Sequence, residues 1–194
     1  PNFRINYGGL NWAGMTNITY SQYSDVRMWA RIFSWTPASS VENYLAMCEP
    51  ITFGNLDTLR KPMDPLIQPK TAYDQRNFTQ KLKFRVSETS ELKFGLYFSM
   101  LSDVNRYDRF IETKNDSPRY ACWNYGPQMW SMATVAYEDR KSTVLYDRIK
   151  WAAALQGYQE SRDVRRYRSP AGRVQTELVR MAQGNVDATK KFSE

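Results

Sequence analysis

The sequence predicts a mainly α-helical protein: a helical bundle with an extended N-terminal arm and, as a candidate insertion, a β-hairpin. Residues 128–168 contain no proline and carry apolar side chains at helical spacing. A second stretch with this spacing follows Pro170, whereas residues 1–10 show neither a helical nor a strand period. With 194 residues, of which 42% are hydrophobic, the chain is long enough to bury one core.

Residues 1–22 are predicted to form the extended arm. Their aromatic residues cannot build a core locally, so we expect them to dock on a partner; they are Phe3, Tyr7, Trp12 and Tyr20.

Residues 23–70 are predicted to form short helices followed by a proline-rich crossover. Apolar residues from Val26 to Phe33 have helical spacing, and Ser39-Ser40-Val41-Glu42 matches a capping box that opens a second helix ending near Cys48. That second helix contains no basic residue, which disfavours a helix-turn-helix reader of DNA sequence. Four prolines between residues 50 and 70 indicate extended chain.

Residues 71–194 are predicted to form the bundle domain, with the hairpin near 78–101. Lys81–Val86 and Leu92–Phe98 both alternate with period two around a polar turn. The hairpin's basic face either contacts an anion or is a solvated edge; it carries Lys81, Lys83, Arg85 and Lys93. Apolar positions from Trp130 to Leu155 predict a long helix, broken near Asp139 or Gly157. Val174, Leu178 and Met181 predict a second, antiparallel helix that ends near Lys191.

The composition argues against an enzyme. The chain has no histidine, which excludes Ser-His-Asp and Cys-His catalysis and histidine-ligated metal sites. It also lacks the glycine patterns that bind nucleotides. Carboxylate pairs such as Glu138-Asp139 lie among basic neighbours typical of surface ion pairs. We therefore expect no catalytic residue, metal, cofactor or small-molecule substrate. Cys48 and Cys122 are too far apart for a local metal or redox motif, which leaves two buried thiols or one long-range disulfide.

Positive charge concentrates in the last third of the chain. The net charge is +7, and residues 140–194 contain twelve basic and six acidic residues. The densest patch, residues 162–173, holds five arginines in twelve residues and is predicted to lie at the tip of the helical hairpin. Guanidinium groups bind phosphate bidentately, so this patch indicates contact with a nucleic-acid backbone. A solvated helix end is the alternative.

The layout of an arm, short helices through Arg31 and helices over 128–168 and 171–191 resembles the major capsid proteins of enveloped filamentous viruses of hyperthermophilic archaea (lipothrixvirus type). In that family two related capsid proteins form heterodimers that wrap linear double-stranded DNA. The resemblance implies a structural virion protein that is assembled in the host cytoplasm and partners with itself or a paralogous capsid protein. A lipid envelope is a further candidate partner. The implied phosphate contacts are Arg4, Arg27, Arg31, Arg162, Arg165, Arg166, Arg168 and Arg173.

Three other functions stay open. The first is a coat protein or nucleoprotein on single-stranded RNA, where Tyr and Trp rings stack on bases. The second is an assembly scaffold without nucleic acid, in which the aromatic residues serve only subunit contacts. The third is a carboxylate enzyme, which requires a deep pocket with at least two converging acids.

Overall fold

A computed structural model describes residues 1–27, 49–53, 56–60, 64, 66–68, 70–110, 112–115 and 117–192. In this part of the chain the regular structure is almost all strand. The elements are β1 (Asn2–Gly8), β2 (Trp12–Tyr23), β3 (Glu49–Phe53), β4 (Leu56–Arg60), β5 (Tyr73–Arg85), β6 (Ser90–Leu101), β7 (Val104–Asn105), α1 (Tyr107–Phe110), β8 (Thr113–Lys114), β9 (Ser117–Pro118), β10 (Tyr120–Tyr125), β11 (Gln128–Asp139), β12 (Arg148–Arg166) and β13 (Gly172–Thr189).

Nine of the described strands form one antiparallel sheet in the order β1-β2-β5-β6-β11-β12-β10-β7, and β13 pairs with β12. The long strand β12 pairs with β13 along one edge. Along its other edge it pairs first with β11 and then with β10. Strands β1, β2, β5, β6, β11, β12 and β13 therefore form a meander with β1 and β13 as its outer strands, and β10 and β7 continue the sheet beyond the end of β11. Two smaller hairpins, β3-β4 and β8-β9, lie outside it.

The predicted helical bundle is wrong. The helix predicted over 128–168 is the strand pair β11 and β12, and the helix predicted over 171–191 is β13. The described residues contain one helix, the four-residue α1. The spacing did not distinguish helix from strand, because the apolar residues of 149–155 fit both a helical period and a strand period. With period two, one face carries Ile149, Trp151, Ala153 and Leu155. Pairing with two neighbouring strands selects that period over helix propensity.

The predicted hairpin near 78–101 is confirmed. Strands β5 and β6 pair with Lys83 opposite Lys93, and the polar turn is closed by hydrogen bonds from the Val86 and Ser87 amides to the Ser90 carbonyl. This hairpin is the centre of the sheet and not an insertion into a bundle.

The first twenty-two residues are extended and form part of the sheet. Strands β1 and β2 make a hairpin, and β2 pairs with β5 along its whole length. Most of the two helices predicted between 23 and 48 lies outside the described residues, which resume at Glu49. The crossover predicted over 50–70 contains the β3-β4 hairpin.

Alternation along the strands gives the sheet two unlike faces. The polar face carries Arg4, Lys81, Lys83, Glu91, Lys93, Tyr97, Trp130, Glu138, Gln156 and Tyr158. The apolar face carries Phe3, Ile5, Tyr7, Ile18, Phe78, Phe84, Phe94, Leu96, Phe98, Trp151 and Leu155. Among the described residues the buried hydrophobic ones are Ala121 and Ala154, so the sheet is a single layer with little core of its own.

Candidate nucleic-acid interface

A basic groove runs across the polar face. Its volume is about 610 Å³, and its cations come from three strands: Arg4 on β1, Lys81 and Lys83 on β5, and Lys93 on β6. They meet because Lys-Leu-Lys-Phe alternation in β5 turns every second residue to the same side. The Lys81 ammonium lies 5.7 Å from the centroid of the Tyr97 ring, which also lines the groove.

Two of these cations are held in place by acids at one end of the groove. Glu91 forms ion pairs with both Lys83 and Lys93, and Lys93 also lies 3.6 Å from Glu138. The other two groove cations, Arg4 and Lys81, form no ion pair within the part of the chain that the structure describes. They are therefore the groove's available charges for an anion.

Acid is expected to weaken the fold through Glu91. Hydrogen bonds from Lys83 and then Lys93 lower the pKa of its carboxyl from 4.5 to about 2. Because the unfolded chain binds this proton more readily, the stabilisation is complete above pH 4.5 and is lost as the pH falls toward 2. Both lysines are about half exposed, so solvent screening limits the effect to about 1–2 kcal/mol.

Urea unfolding of wild type and Glu91→Gln between pH 7 and pH 2 measures this contribution. The variant is expected to start less stable at pH 7 and to lose less stability on acidification. Identical pH profiles for the two proteins would show that the lysines do not depend on Glu91.

Aromatic rings continue from the groove along the polar face. The ring centroids of Tyr97 and Trp130 are 6.3 Å apart, and Tyr158 lies opposite Trp130 on the next strand. Trp130 Nε1 donates a hydrogen bond to Gln156 Oε1 (3.3 Å), and the Tyr158 hydroxyl donates to Glu160 Oε2 (2.8 Å). These polar tips are anchored while the rings stay half-buried at the surface.

Beyond the rings lies an arginine–aromatic cluster. It consists of Arg106, Arg109, Arg162, Trp123 and Tyr125. The Arg106 guanidinium lies 5.0 Å from the Trp123 ring and 5.6 Å from the Tyr125 ring. Arg109 also lies over Trp123, and Arg162 over Tyr125. All three arginines are ion-paired: Arg106 with Asp108, Arg109 with Glu112, and Arg162 with Glu160 (3.5 Å) and Glu177 (3.6 Å). The Nε atoms of Arg109 and Arg162 are buried and have no hydrogen-bond partner among the described residues.

A tip pocket of about 550 Å³ lies where β12 ends and contains four cations: Lys114, Arg119, Arg166 and Arg168. No carboxylate contributes to the lining that the described residues provide. Arg119 is paired with Glu112 at 3.0 Å. Arg168 adopts a left-handed backbone conformation (φ 56°), which costs a residue with a Cβ about 1 kcal/mol and is compensated where its amide donates to Asp57 Oδ2 (2.6 Å).

The structure distributes the predicted phosphate contacts over different places. Arg4 lies in the groove, Arg162 in the arginine–aromatic cluster, and Arg166 and Arg168 in the tip pocket. Arg173 is exposed on β13 and contacts Gln175. Arg27 is paired with Asp64 (3.3 Å), and Arg31 lies outside the described residues.

Arg165 is bound to a carboxylate of its own chain. Because β12 is a strand, Arg165 points to the face opposite that of Arg166, and there its Nη1 and Nη2 donate to both oxygens of Asp57 (2.8 and 2.6 Å). The Asp57 side chain is only 1% exposed. This arginine therefore attaches the β3-β4 hairpin to the tip of the sheet.

The arginines from Arg106 to Arg119 were not among the predicted contacts. They alternate with aromatic residues in sequence, as in Arg106-Tyr107-Asp108-Arg109 and Arg119-Tyr120, a signal that sequence reasoning did not use. Arg106 and Arg109 lie near Arg162 because β10 pairs with both β7 and β12, whereas Arg119 lies in the tip pocket.

The chemistry available along this face is ionic contact and ring stacking. No group of three or more residues able to ligate a metal occurs in the described ranges. Cys122, a free thiol on β10, has its pKa raised to about 11 by burial, which disfavours the reactive thiolate. Within those ranges, no helix has the length and apolar character needed to cross a membrane.

Comparison with protein-family models, with curated proteins and with solved structures finds no match to this chain.

Proposed function

We propose that the chain is a structural protein that binds nucleic acid, and that it binds a single strand. The observation that carries this function is the alternation of cations and aromatic rings on the polar face. This track begins at Lys81, whose row of paired residues crosses the sheet to Ala154 on β12, and it ends at Arg166. From Ala154 to Arg166 it extends about 40 Å along β12. Single-strand binders combine a positive path for phosphates with rings on which bases stack.

The geometry favours a single strand over a duplex. The helical bundle that linked the chain to coat proteins wrapping double-stranded DNA is replaced by an open sheet. Half-buried rings on an open sheet face are accessible to unpaired bases, whereas the bases of a duplex are already stacked on one another. Phosphates and base faces are common to RNA and DNA, and single-stranded RNA is the probe for the experiments below.

A variant of the groove tests this function. Arg4→Ala with Lys81→Ala removes the two groove cations that lack ion pairs and should weaken binding to a 20-nucleotide single-stranded RNA. Each lost phosphate contact lowers the slope of log affinity against log salt by about 0.7, so the expected fall is about 1.4. Fluorescence anisotropy across a salt series measures both quantities.

The matched control changes charge on the other side of the sheet. Arg76→Ala with Arg180→Ala also removes two positive charges, but from exposed positions of the apolar face. This variant should leave the slope of log affinity against log salt unchanged. Equal slope changes in both double variants would mean that net charge alone attracts the RNA. Tighter binding to a duplex of the same sequence would show that double-stranded nucleic acid is the ligand. If neither form binds at low salt, an assembly scaffold without nucleic acid becomes the better explanation.

A further inference from the structure

Within the described residues, the large apolar side chains on the apolar face of the sheet are exposed. Leu96, on the middle strand of the sheet, is 52% exposed, and its neighbours Phe94 and Phe98 are each 40% exposed. The total accessible surface is 13706 Å², compared with about 9,600 Å² for a compact monomer of 22.8 kDa. Soluble monomers rarely expose an apolar patch of this extent.

We propose that this face packs against the same face of a second copy of the chain, to give a two-layer sandwich. β1, β2, β5, β6, β11, β12 and β13 lie side by side, and their paired rows give a face of about 1,000 Å². Two copies would bury about 2,000 Å² in total, which reaches the range of obligate homodimers. Aligned sheets pack about 10 Å apart in this way.

Side-chain size across the face favours a second copy. In the row of Phe98, on one side of the middle strand β6, β5 and β2 present Phe78 and Ile18. On the other side, β11 and β12 present the small residues Ser131 and Gly157 in the same row, and they line a groove of about 740 Å³ that also includes Leu155 and, on β13, Arg180. A two-fold axis along β6 places Phe78 and Ile18 of each copy over Ser131 and Gly157 of the other.

Charge favours the same arrangement. The rows of the apolar face that pass through Phe94 and Leu96 contain no charged residue from β1 to β13. Two copies can therefore meet along these two rows without burying a charge. Arg180, in the neighbouring row through Phe98, lies on the edge strand β13, where it is exposed. The polar faces, which carry the basic groove, would repel each other and are directed outward. The sandwich thus leaves the nucleic-acid track of each copy accessible on opposite surfaces.

Sedimentation of the full chain tests the pairing. Wild type is expected at twice 22.8 kDa at micromolar concentration. Leu96→Arg places an unpaired charge at the centre of the interface and should weaken dimerisation more than about 100-fold. Because Leu96 is half exposed in one chain, the arginine fits the monomer, and circular dichroism should report an unchanged strand content. Leu145→Arg, the same substitution at a loop position 85% exposed, should stay dimeric.

Three results would overturn the pairing: a wild-type monomer that binds an apolar dye, a dimer that persists in Leu96→Arg, or a wild-type monomer that does not bind the dye. The last would show that other residues of the same chain cover the face. The nucleic-acid function is tested separately, since the Leu96→Arg monomer keeps its polar face and should bind single-stranded RNA with the wild-type salt slope per chain.

Discussion

Arg165→Ala is expected to destabilise the protein by about 3 kcal/mol, whereas Arg166→Ala, one residue away, should change stability by less than about 0.5 kcal/mol. Arg165 donates two hydrogen bonds to Asp57 and one to the Ser169 carbonyl (3.0 Å). Removing it takes away both guanidinium hydrogen bonds from a carboxylate that is 1% exposed and that also accepts a hydrogen bond from the Arg168 amide. Arg166 is exposed and forms no ion pair within the described residues.

In Arg165→Ala we expect the β3-β4 hairpin to detach before the whole sheet unfolds. Asp57 belongs to the β3-β4 hairpin and can regain water if that hairpin leaves the tip of the sheet. Limited proteolysis should therefore cut Arg165→Ala within residues 49–60 at times when wild type and Arg166→Ala are intact. Urea unfolding gives the size of the effect. Equal protease resistance in all three proteins would show that the Arg165–Asp57 pair does not hold the hairpin.

These neighbouring arginines show where sequence reasoning reached its limit. A helical projection places Arg162, Arg165 and Arg166 within two turns, as one cluster. On a strand, Arg165 points away from the other two and contacts Asp57. Arg162, which is ion-paired with Glu160 and Glu177, and Arg166 lie on the polar face. The composition of the patch was readable from the sequence. Its division between the two faces depends on the backbone period, which the sequence did not decide.

The two hairpins around the middle of the sheet show the same limit for the fold. Between Lys81 and Phe98 the alternation is strict and the turn is short, so a local pattern sufficed to predict β5 and β6. Alanine has the highest helix propensity of any residue type. The run Ala152-Ala153-Ala154 is nevertheless strand, because β11 and β13 pair with it on both sides. Such pairing joins distant residues and leaves no local signal.

The candidate interface was foreseen in the same uneven way. Arg4 and the basic hairpin face were visible in the sequence, but their meeting in one groove required the pairing of β1 with β2 and of β2 with β5. The rings of Tyr97 and Trp130 lie 33 positions apart and become neighbours only through the register of β6 and β11. Aromatic content suggested an interface, and the fold shows which rings belong to it.

Trp130→Ala should lower affinity for single-stranded RNA by about 10-fold or more, with little change for duplex. Stacking of one base on an aromatic ring contributes about 1–3 kcal/mol. Trp130 is half-buried on the polar face, beside Tyr97 and between the basic groove and the arginine–aromatic cluster. A nucleic-acid strand that contacts both the basic groove and the arginine–aromatic cluster must pass over this ring. Anisotropy with single-stranded and duplex RNA of equal length measures the difference.

Two further substitutions separate stacking from packing and from nonspecific damage. Trp130→Phe keeps an aromatic face but loses the indole hydrogen bond to Gln156, so it should recover most of the affinity if stacking is the cause. Trp151→Ala removes the same side chain from the apolar face, where Trp151 is 38% exposed, and should leave RNA affinity per chain unchanged. If Trp130→Phe binds as weakly as Trp130→Ala, the indole acts through its hydrogen bond and the bases do not stack there. If Trp151→Ala binds equally weakly, both tryptophans support the sheet, and the strand contacts phosphate-binding cations alone.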